Sequence, residues 1–339
     1  MRFGLLLTTQ HHPGEDIQAI MHGHLEMVRH ARDGGWDSVW AGQHYLQTGL
    51  AGMQPVPLLA RFAAEAHGMT LGTCIQLLSL QNPVAVAEET ANLDVLSGGR
   101  FVYSAGLGYR DVEYQAFGLD RSDGVRRFEE NLSVVKQLWS GDPVDVDLPW
   151  CRINQVQLTL PPIQRPHPPV WIAANSDAAV RRAARVGDAW LINPHATLPT
   201  IARQHELFLH AREEAGLPAP TTTPIVREAI CAPDSATAAR LAAAHLGEKY
   251  KSYTGWGQDK ALPRTDRDFE APYEELARGR FVVGSPAQCL DDLGRIVERV
   301  GADHLILRVN WAGMTMADSL RTIDLLTSEV LPHLRTPRD

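Results

Sequence analysis

Cysteine is scarce in this chain of 339 residues: Cys74, Cys151, Cys231 and Cys289 lie far apart and form no Cys-x-x-Cys pair. That usage offers neither a zinc site nor a disulfide framework, and it fits a reducing cytoplasm. Long apolar runs are missing too; none reaches the roughly 18 residues that span a bilayer. The amino-terminal MRFGLLLTTQ lacks the longer apolar core and cleavage site of a secretory signal. Basic charge is in the minority, with 32 Lys and Arg against 40 Asp and Glu and a net charge of −8. Arg126-Arg127 and Arg181-Arg182 are isolated pairs, so no clustered cationic face is present for nucleic-acid phosphates. Several motifs are absent as well: no Walker loop, no His-Glu-x-x-His and no Gly-x-Ser-x-Gly. Gly106-x-Gly108 runs into Tyr-Arg-Asp, so the dinucleotide fingerprint is incomplete. His11-His12 and His22-x-His24 have no carboxylate or cysteine at a ligand spacing, and no metal is expected.

What the chain has is rhythm. Short β-branched or apolar runs at 2–7, 38–41, 70–76, 101–105, 170–173, 189–192, 225–230 and 304–309 read as eight strands. Several are continuous rather than alternating, as strands covered on both faces should be. Amphipathic stretches at 84–96, 125–139, 177–186, 199–215, 236–250, 286–300 and 317–334 lie between them, and Leu25, Val28 and Ala31 mark a helix before the second strand. Eight strands alternating with helices predict a (β/α)₈ barrel, with an open doubly wound sheet as the rival. One domain over 1–339 is expected. Two segments interrupt it. The proline-rich 141–169 carries an alternating piece at 151–158 that reads as an inserted hairpin. The segment 252–280, rich in Gly, Pro and charge, reads as an active-site lid in preference to a disordered linker.

Barrel enzymes build their sites at the carboxyl ends of the strands. Here those ends supply His11 and His12 after the first strand, and His44 and Tyr45 after the second, within Trp-Asp-Ser-Val-Trp-Ala-Gly-Gln-His-Tyr. They add Gly106, Leu107, Tyr109 and Arg110 after the fourth, Asn193 to His195 after the sixth, and Arg308 and Trp311 at the eighth. After the fifth, Ala174-Asn175-Ser176 joins a buried strand to a helix. Small residues there let a ligand approach the helix's free amides, a good phosphate site, although Asn175 or Ser176 as a plain helix cap is an equal reading.

The stretch from Asn82 to Phe101, then Gly106-Leu-Gly-Tyr-Arg110 and Glu113-Tyr-Gln-Ala-Phe-Gly118, resembles the bacterial luciferase-like flavin-dependent oxidoreductases. Arg127-Phe-Glu-Glu, Leu138-Trp139, Pro168 to Ser176, Arg182 to Trp190 and Val283-Gly-Ser-Pro286 extend the resemblance in order along nearly the whole chain. It implies a (β/α)₈ barrel with insertions after strands 4 and 7, and a homodimer. It also implies a flavin across the strand ends, with its phosphate on Ala174, Asn175, Ser176 and the following amides. Cys74-Ile75 matches a place where the family often has a non-prolyl cis peptide beneath the flavin ring, and His44 matches a histidine near the reactive edge. Leu107 falls where luciferase has a phosphate-binding arginine, with Tyr109 or Arg110 as substitutes. Gly106 falls on luciferase's reactive thiol, so light emission is not implied.

Two chemistries follow from the resemblance. In one, reduced FMN from a separate flavin reductase reacts with O₂ to give a C4a-peroxyflavin that oxygenates a small, hydrophobic organic substrate. His44 then serves as general base or hydrogen-bond donor. In the other, a deazaflavin (coenzyme F-420) exchanges hydride with the substrate. Members of that branch often carry Asp-His at the second strand end; Gln43-His44 here favours FMN. A flavin-binding barrel without activity is the remaining alternative. His11, His12, Tyr45, Trp256, Arg308 and Trp311 are candidate substrate contacts.

Overall fold

The computed structural model describes residues 1–335, so the last four residues of the expected 1–339 unit lie outside the described residues. Eight strands form its centre: β1 Arg2–Leu7, β2 Ser38–Ala41, β3 Thr70–Thr73, β4 Phe101–Gly106, β5 Val170–Ala174, β6 Ala189–Ile192, β7 Pro224–Cys231 and β8 His304–Arg308. Each pairs in parallel with the next, and β8 returns to β1. The sheet therefore closes into the predicted (β/α)₈ barrel, and the open sheet is excluded. Around it lie α1 Ile17–Asp33, α2 Pro55–Ala63, α3 Pro83–Ser97, α4 Gly124–Trp139, α5 Asp177–Val186, α6 Leu198–Glu214, α7 Ser235–Trp256, α8 Pro286–Val300 and α9 Met316–Leu325.

The barrel's inside is filled by Leu6, Trp40, Val102, Trp171, Leu191, Val226 and Ile306. Trp40 and Trp171 stack with ring centroids 5.0 Å apart. Two glycines make room for them: a Cβ on Gly72 would lie 2.0 Å from the Trp40 ring, and one on Gly4 would lie 2.6 Å from its Nε1. Below, the Trp40 indole donates to Ser38 Oγ at 2.8 Å, and Ser38 meets His304 Nε2 at 2.7 Å. This closes the amino-terminal end of the barrel and leaves the carboxyl end for chemistry.

Three elements differ from expectation. The helix α2 stands where the sequence marks no element; Pro55 sits at its start, where no amide hydrogen is needed. The third strand is not continuous over 70–76: it stops at Thr73, resumes at Gln76–Leu77, and has a cis Cys74–Ile75 bond between. The helix α7 runs past 250 to Trp256 despite Ser252, Thr254 and Gly255, because Tyr250 and Tyr253 bury one face of its last turns. The first five residues of the expected lid, 252–256, are thus helical.

The insertion after β4 is a hairpin of Val144–Leu148 against Cys151–Val156, longer than the alternating piece alone predicts. After α7 the chain is irregular apart from short helical turns such as Tyr273–Leu276, and then Phe281–Gly284 adds to β7 in parallel. Among the described residues no helix is long and apolar enough to cross a membrane.

Candidate functional site

A cavity of about 450 Å³ opens at the carboxyl ends of the strands. Its apolar wall comes from Leu6, Ile75, Leu77, Leu107, Leu191 and Val226. Two glycines shape the bend around Ile75: a Cβ on Gly42 would sit 2.6 Å from the Cys74 carbonyl oxygen, and one on Gly106 would sit 2.4 Å from Ile75 Cδ1. Burial pushes the Cys74 thiol up to about 12, so it stays protonated.

His44 lines this cavity beside a group the sequence did not single out. Its Nδ1 lies 3.5 Å from Glu113 Oε1, and the carboxylate is all but fully buried. Glu113 is held in turn by the Tyr45 amide at 2.9 Å and Arg110 at 3.3 Å. A carboxylate at Nδ1 favours a proton there and leaves Nε2 for whatever enters. Aromatic rings enclose the imidazole: Trp256 at 5.5 Å, Tyr109 at 6.0 Å and Tyr253 at 6.3 Å between centroids. Burial, with Tyr253 and Glu113 nearby, raises Tyr109 well above the ordinary phenol range. It is therefore a neutral phenol whose buried hydroxyl has no protein partner.

Across the cavity, β5 delivers Ala173, Ala174, Asn175 and Ser176 to the rim. Ser176 caps α5, its hydroxyl accepting from the Ala179 amide. Asp177 is drawn aside by two 2.8 Å bonds from Arg203, so its charge does not face the cavity unopposed. Arg182, a turn further along α5, lines the same space with its Nε buried and unpartnered. Arg121, which pairs with Asp111 at 2.8 Å, and Lys260 line the cavity elsewhere. The β5 side is built for an anion.

Of the residues singled out in the sequence, His44, Cys74, Ile75, Gly106, Leu107, Tyr109, Ala174, Asn175, Ser176 and Arg308 share the cavity lining. Asn193, Pro194 and His195 line it too, whereas Arg110, Trp256, Tyr45, His11, His12 and Trp311 do not. Arg110 turns back to donate to the carbonyls of Tyr45 and Leu46 and stacks 4.5 Å over Trp256, so its guanidinium braces the His44 loop. Trp256 stacks behind Tyr253 at 5.2 Å. Tyr45 packs on Phe117, its hydroxyl accepting from Gln43. His11 pairs through its backbone with Ala51 and keeps its ring near the Thr9 carbonyl. The exposed His12 sits by Gly313, and Trp311 is buried in the core outside the cavity. Glu113, Arg182, His195 and Tyr253 are the functional candidates that sequence reasoning passed over or left unassigned. Glu113 and Arg182 stood inside quoted motifs and His195 at a strand end; for Tyr253 only helical phase gave a signal. Among the described residues no three His, Cys, Asp or Glu side chains gather as a metal site.

The chain matches the luciferase-like monooxygenase family over residues 1–304. It is 24% identical to the oxygenase component of the flavin-dependent trigonelline monooxygenase of Acinetobacter baylyi, over 98% of this chain and 95% of that protein. The monooxygenase RslO1 from Streptomyces bottropensis has the same fold, with a TM-score of 0.86 and 24% identity over 99% of this chain and 100% of that one. So does a secondary alcohol dehydrogenase dependent on coenzyme F-420, at TM-score 0.79 and 16% identity over 99% of each chain. With a match from the first strand to the start of the eighth, and with the barrel closed as in these relatives, the chain belongs to the luciferase-like monooxygenase family.

Proposed function

We propose that this chain is the oxygenase component of a two-component monooxygenase, taking reduced FMN from a separate reductase and using O₂ to oxygenate a small, largely apolar organic molecule. One observation carries the reading. A single cavity joins an anion-seeking helix terminus to an apolar, aromatic-walled chamber lined by His44, with Glu113 behind the imidazole. The residues present fit a flavin mononucleotide. Asn175, Ser176 and Arg182 are suited to its phosphate, and the surface formed by Ile75 with Gly42 and Gly106 leaves room for a flat ring. When bound, reduced flavin supplies the two electrons that let one oxygen atom go to substrate and the other to water.

The chain's own residues do the rest. Glu113 fixes the imidazole so that His44 Nε2 holds or accepts a proton at the reacting edge. The free Tyr109 hydroxyl is a second donor into the same space. The insertion after β7 contributes Gln258, Lys260 and Ala261 to the lining, and we read residues 252–280 as the lid that excludes water. An oxygenase component among the relatives supports the separate reductase.

Anaerobic titration with reduced FMN and with reduced coenzyme F-420 tests the reading. Reduced FMN should bind more tightly; the reverse order would replace oxygenation with hydride transfer. The His44→Ala variant should lose roughly 10²–10⁴-fold in kcat while binding reduced FMN nearly as well.

A further inference from the structure

The side of the cavity opposite the proposed phosphate end carries a charge that the oxygenase reading leaves unused. On β8, Ile306 faces the barrel interior, and alternation brings Arg308 to the same side one layer higher; on β7, Val226 and Glu228 do likewise. Arg308 lines the cavity with its side chain 13% exposed. It makes no hydrogen bond within the described residues, and its Nε is buried and unpartnered. Its one ion pair is a long contact, 3.8 Å to Glu228.

That carboxylate is already taken. Glu228 is fully buried and in direct contact with Lys249 of α7. Burial and the Arg308 charge both pull Lys249 well below the usual ammonium range. Glu228 thus faces two basic groups and lies against Lys249, with Arg308 at the longer distance. Behind it, Arg280 pairs with Asp266 at 3.6 Å, while Arg227 donates only to the carbonyls of Asn193 and Val226. Two guanidinium charges, those of Arg227 and Arg308, are thus left without a carboxylate of their own. His195, also in the lining, is kept neutral by burial and by these cations, so it adds no competing charge.

We infer that Arg308, with Tyr253 and His195 beside it, forms a subsite for the carboxylate of an organic acid substrate. A planar guanidinium with free paired donors matches a carboxylate in two parallel hydrogen bonds, and a partly desolvated site strengthens them. The phosphate end lies at β5, three strands round the barrel from β8, so one anion does not serve both ends. The apolar wall between them takes the acid's hydrocarbon body. The ring of Tyr253 lies 6.3 Å from His44 and 5.6 Å from His195, and all three share the cavity lining with Arg308, so one cavity holds both the carboxylate subsite and His44. This assignment rests on reading the cavity as a flavin and substrate site.

Calorimetric titration of the full-length protein with benzoate, cinnamate and naphthalene-2-carboxylate, each against its primary amide, tests the subsite. At least one acid should bind ten or more times tighter than its amide. Arg308→Leu should abolish that preference, and Arg308→Lys, which keeps the charge without the two-donor fork, should reduce it several-fold. Anaerobic affinity for reduced FMN should stay within threefold in both variants. No preference in any pair, or a preference that survives in Arg308→Leu, overturns the inference. Equal loss of reduced FMN binding overturns it too, by giving the guanidinium to the flavin. If Arg308→Leu does not fold, Arg308→Lys decides by the same criteria. A wild-type protein that ignores reduced FMN yet prefers the acids would instead refute the flavin reading and leave the carboxylate subsite standing.

Discussion

At the scale of single residues, the pairing of His44 with Glu113 sets what the imidazole does. Glu113 does not line the cavity, and in the proposed reaction it works through the ring it orients. Glu113→Gln keeps the size but removes the charge that lies 3.5 Å from Nδ1 and that Arg110 also contacts. Its kcat should fall by roughly tenfold to a hundredfold, less than the loss from removing a proton-transfer group itself. Because the effect passes through His44, the same change in a His44→Ala background should cost almost nothing further, the non-additivity of coupled neighbours. An equal fall in both backgrounds would show that Glu113 only props up the fold. The sequence made His44 visible and Glu113 invisible for one reason. A strand end announces its polar residue, whereas a carboxylate arriving from a helix after the fourth strand becomes a partner only when the barrel closes. Gln43 is the reverse case. It served in the sequence as a marker of chemistry, but its side-chain oxygen accepts from the Leu77 amide and Gln81, and its NH₂ donates to Tyr45 and Gln54. It organises loops while lining the cavity.

At the scale of elements, the helix α5 was legible almost whole: the strand, the small-residue turn and both helix ends follow from Val170 to Val186. What the sequence withheld was which of two adjacent arginines faces inward. They lie about 100° apart on a helix. Arg181 pairs with Glu214 on the outside, and Arg182 lines the cavity. Side chains on a helix lean toward its amino terminus, so the guanidinium leans back toward Ser176. Burial lowers the Arg182 pKa, and the unpartnered Nε marks a donor awaiting an anion. Arg182→Met should weaken binding of reduced FMN roughly tenfold to a hundredfold, as loss of a charged hydrogen bond does. Binding of reduced riboflavin, which has no phosphate, should change little. Parallel anaerobic fluorescence titrations give both numbers; equal weakening of the two ligands would remove Arg182 from the phosphate site. The helix α7 makes a related point. Its last turns looked like loop because Ser252, Thr254 and Gly255 are poor helix formers, and packing of Tyr253 and Trp256 against the His44 wall overrode that preference.

For the molecule as a whole, the layout at the closed end of the barrel predicts how stability responds to acid. His304 is buried beneath Trp40 and Trp171 and bonded to Ser38, and burial followed by the nearby Arg2 charge pulls it down to about 3. Burial and His11 likewise lower His24, on α1, to about 4. Both depart from an unfolded value of 6.5. Below pH 6.5 the unfolded chain takes up protons that the folded chain refuses, so the free energy of unfolding falls as pH falls, down to each folded pKa. Each histidine costs at most about 1.4 kcal/mol per pH unit across its window. Between pH 6.5 and 5 buried histidines such as these and His195 carry most of the effect, since carboxylates with an ordinary value of 4.5, such as Glu65, which its arginine partners hold near 2, are still mostly ionised in the unfolded state. Denaturant unfolding at pH 7 and pH 5 should therefore show a marked loss of stability at the lower pH. In His304→Gln, which removes one of the titrating groups, that loss should shrink by about 2 kcal/mol, the 1.5 units below pH 6.5 at about 1.4 kcal/mol each. The comparison holds even though the variant starts from a lower stability at pH 7, because only the difference between the two pH values is read. An unchanged difference would mean that His304 accepts its proton in the folded barrel, and that the closed end is wetter than its tryptophan packing implies.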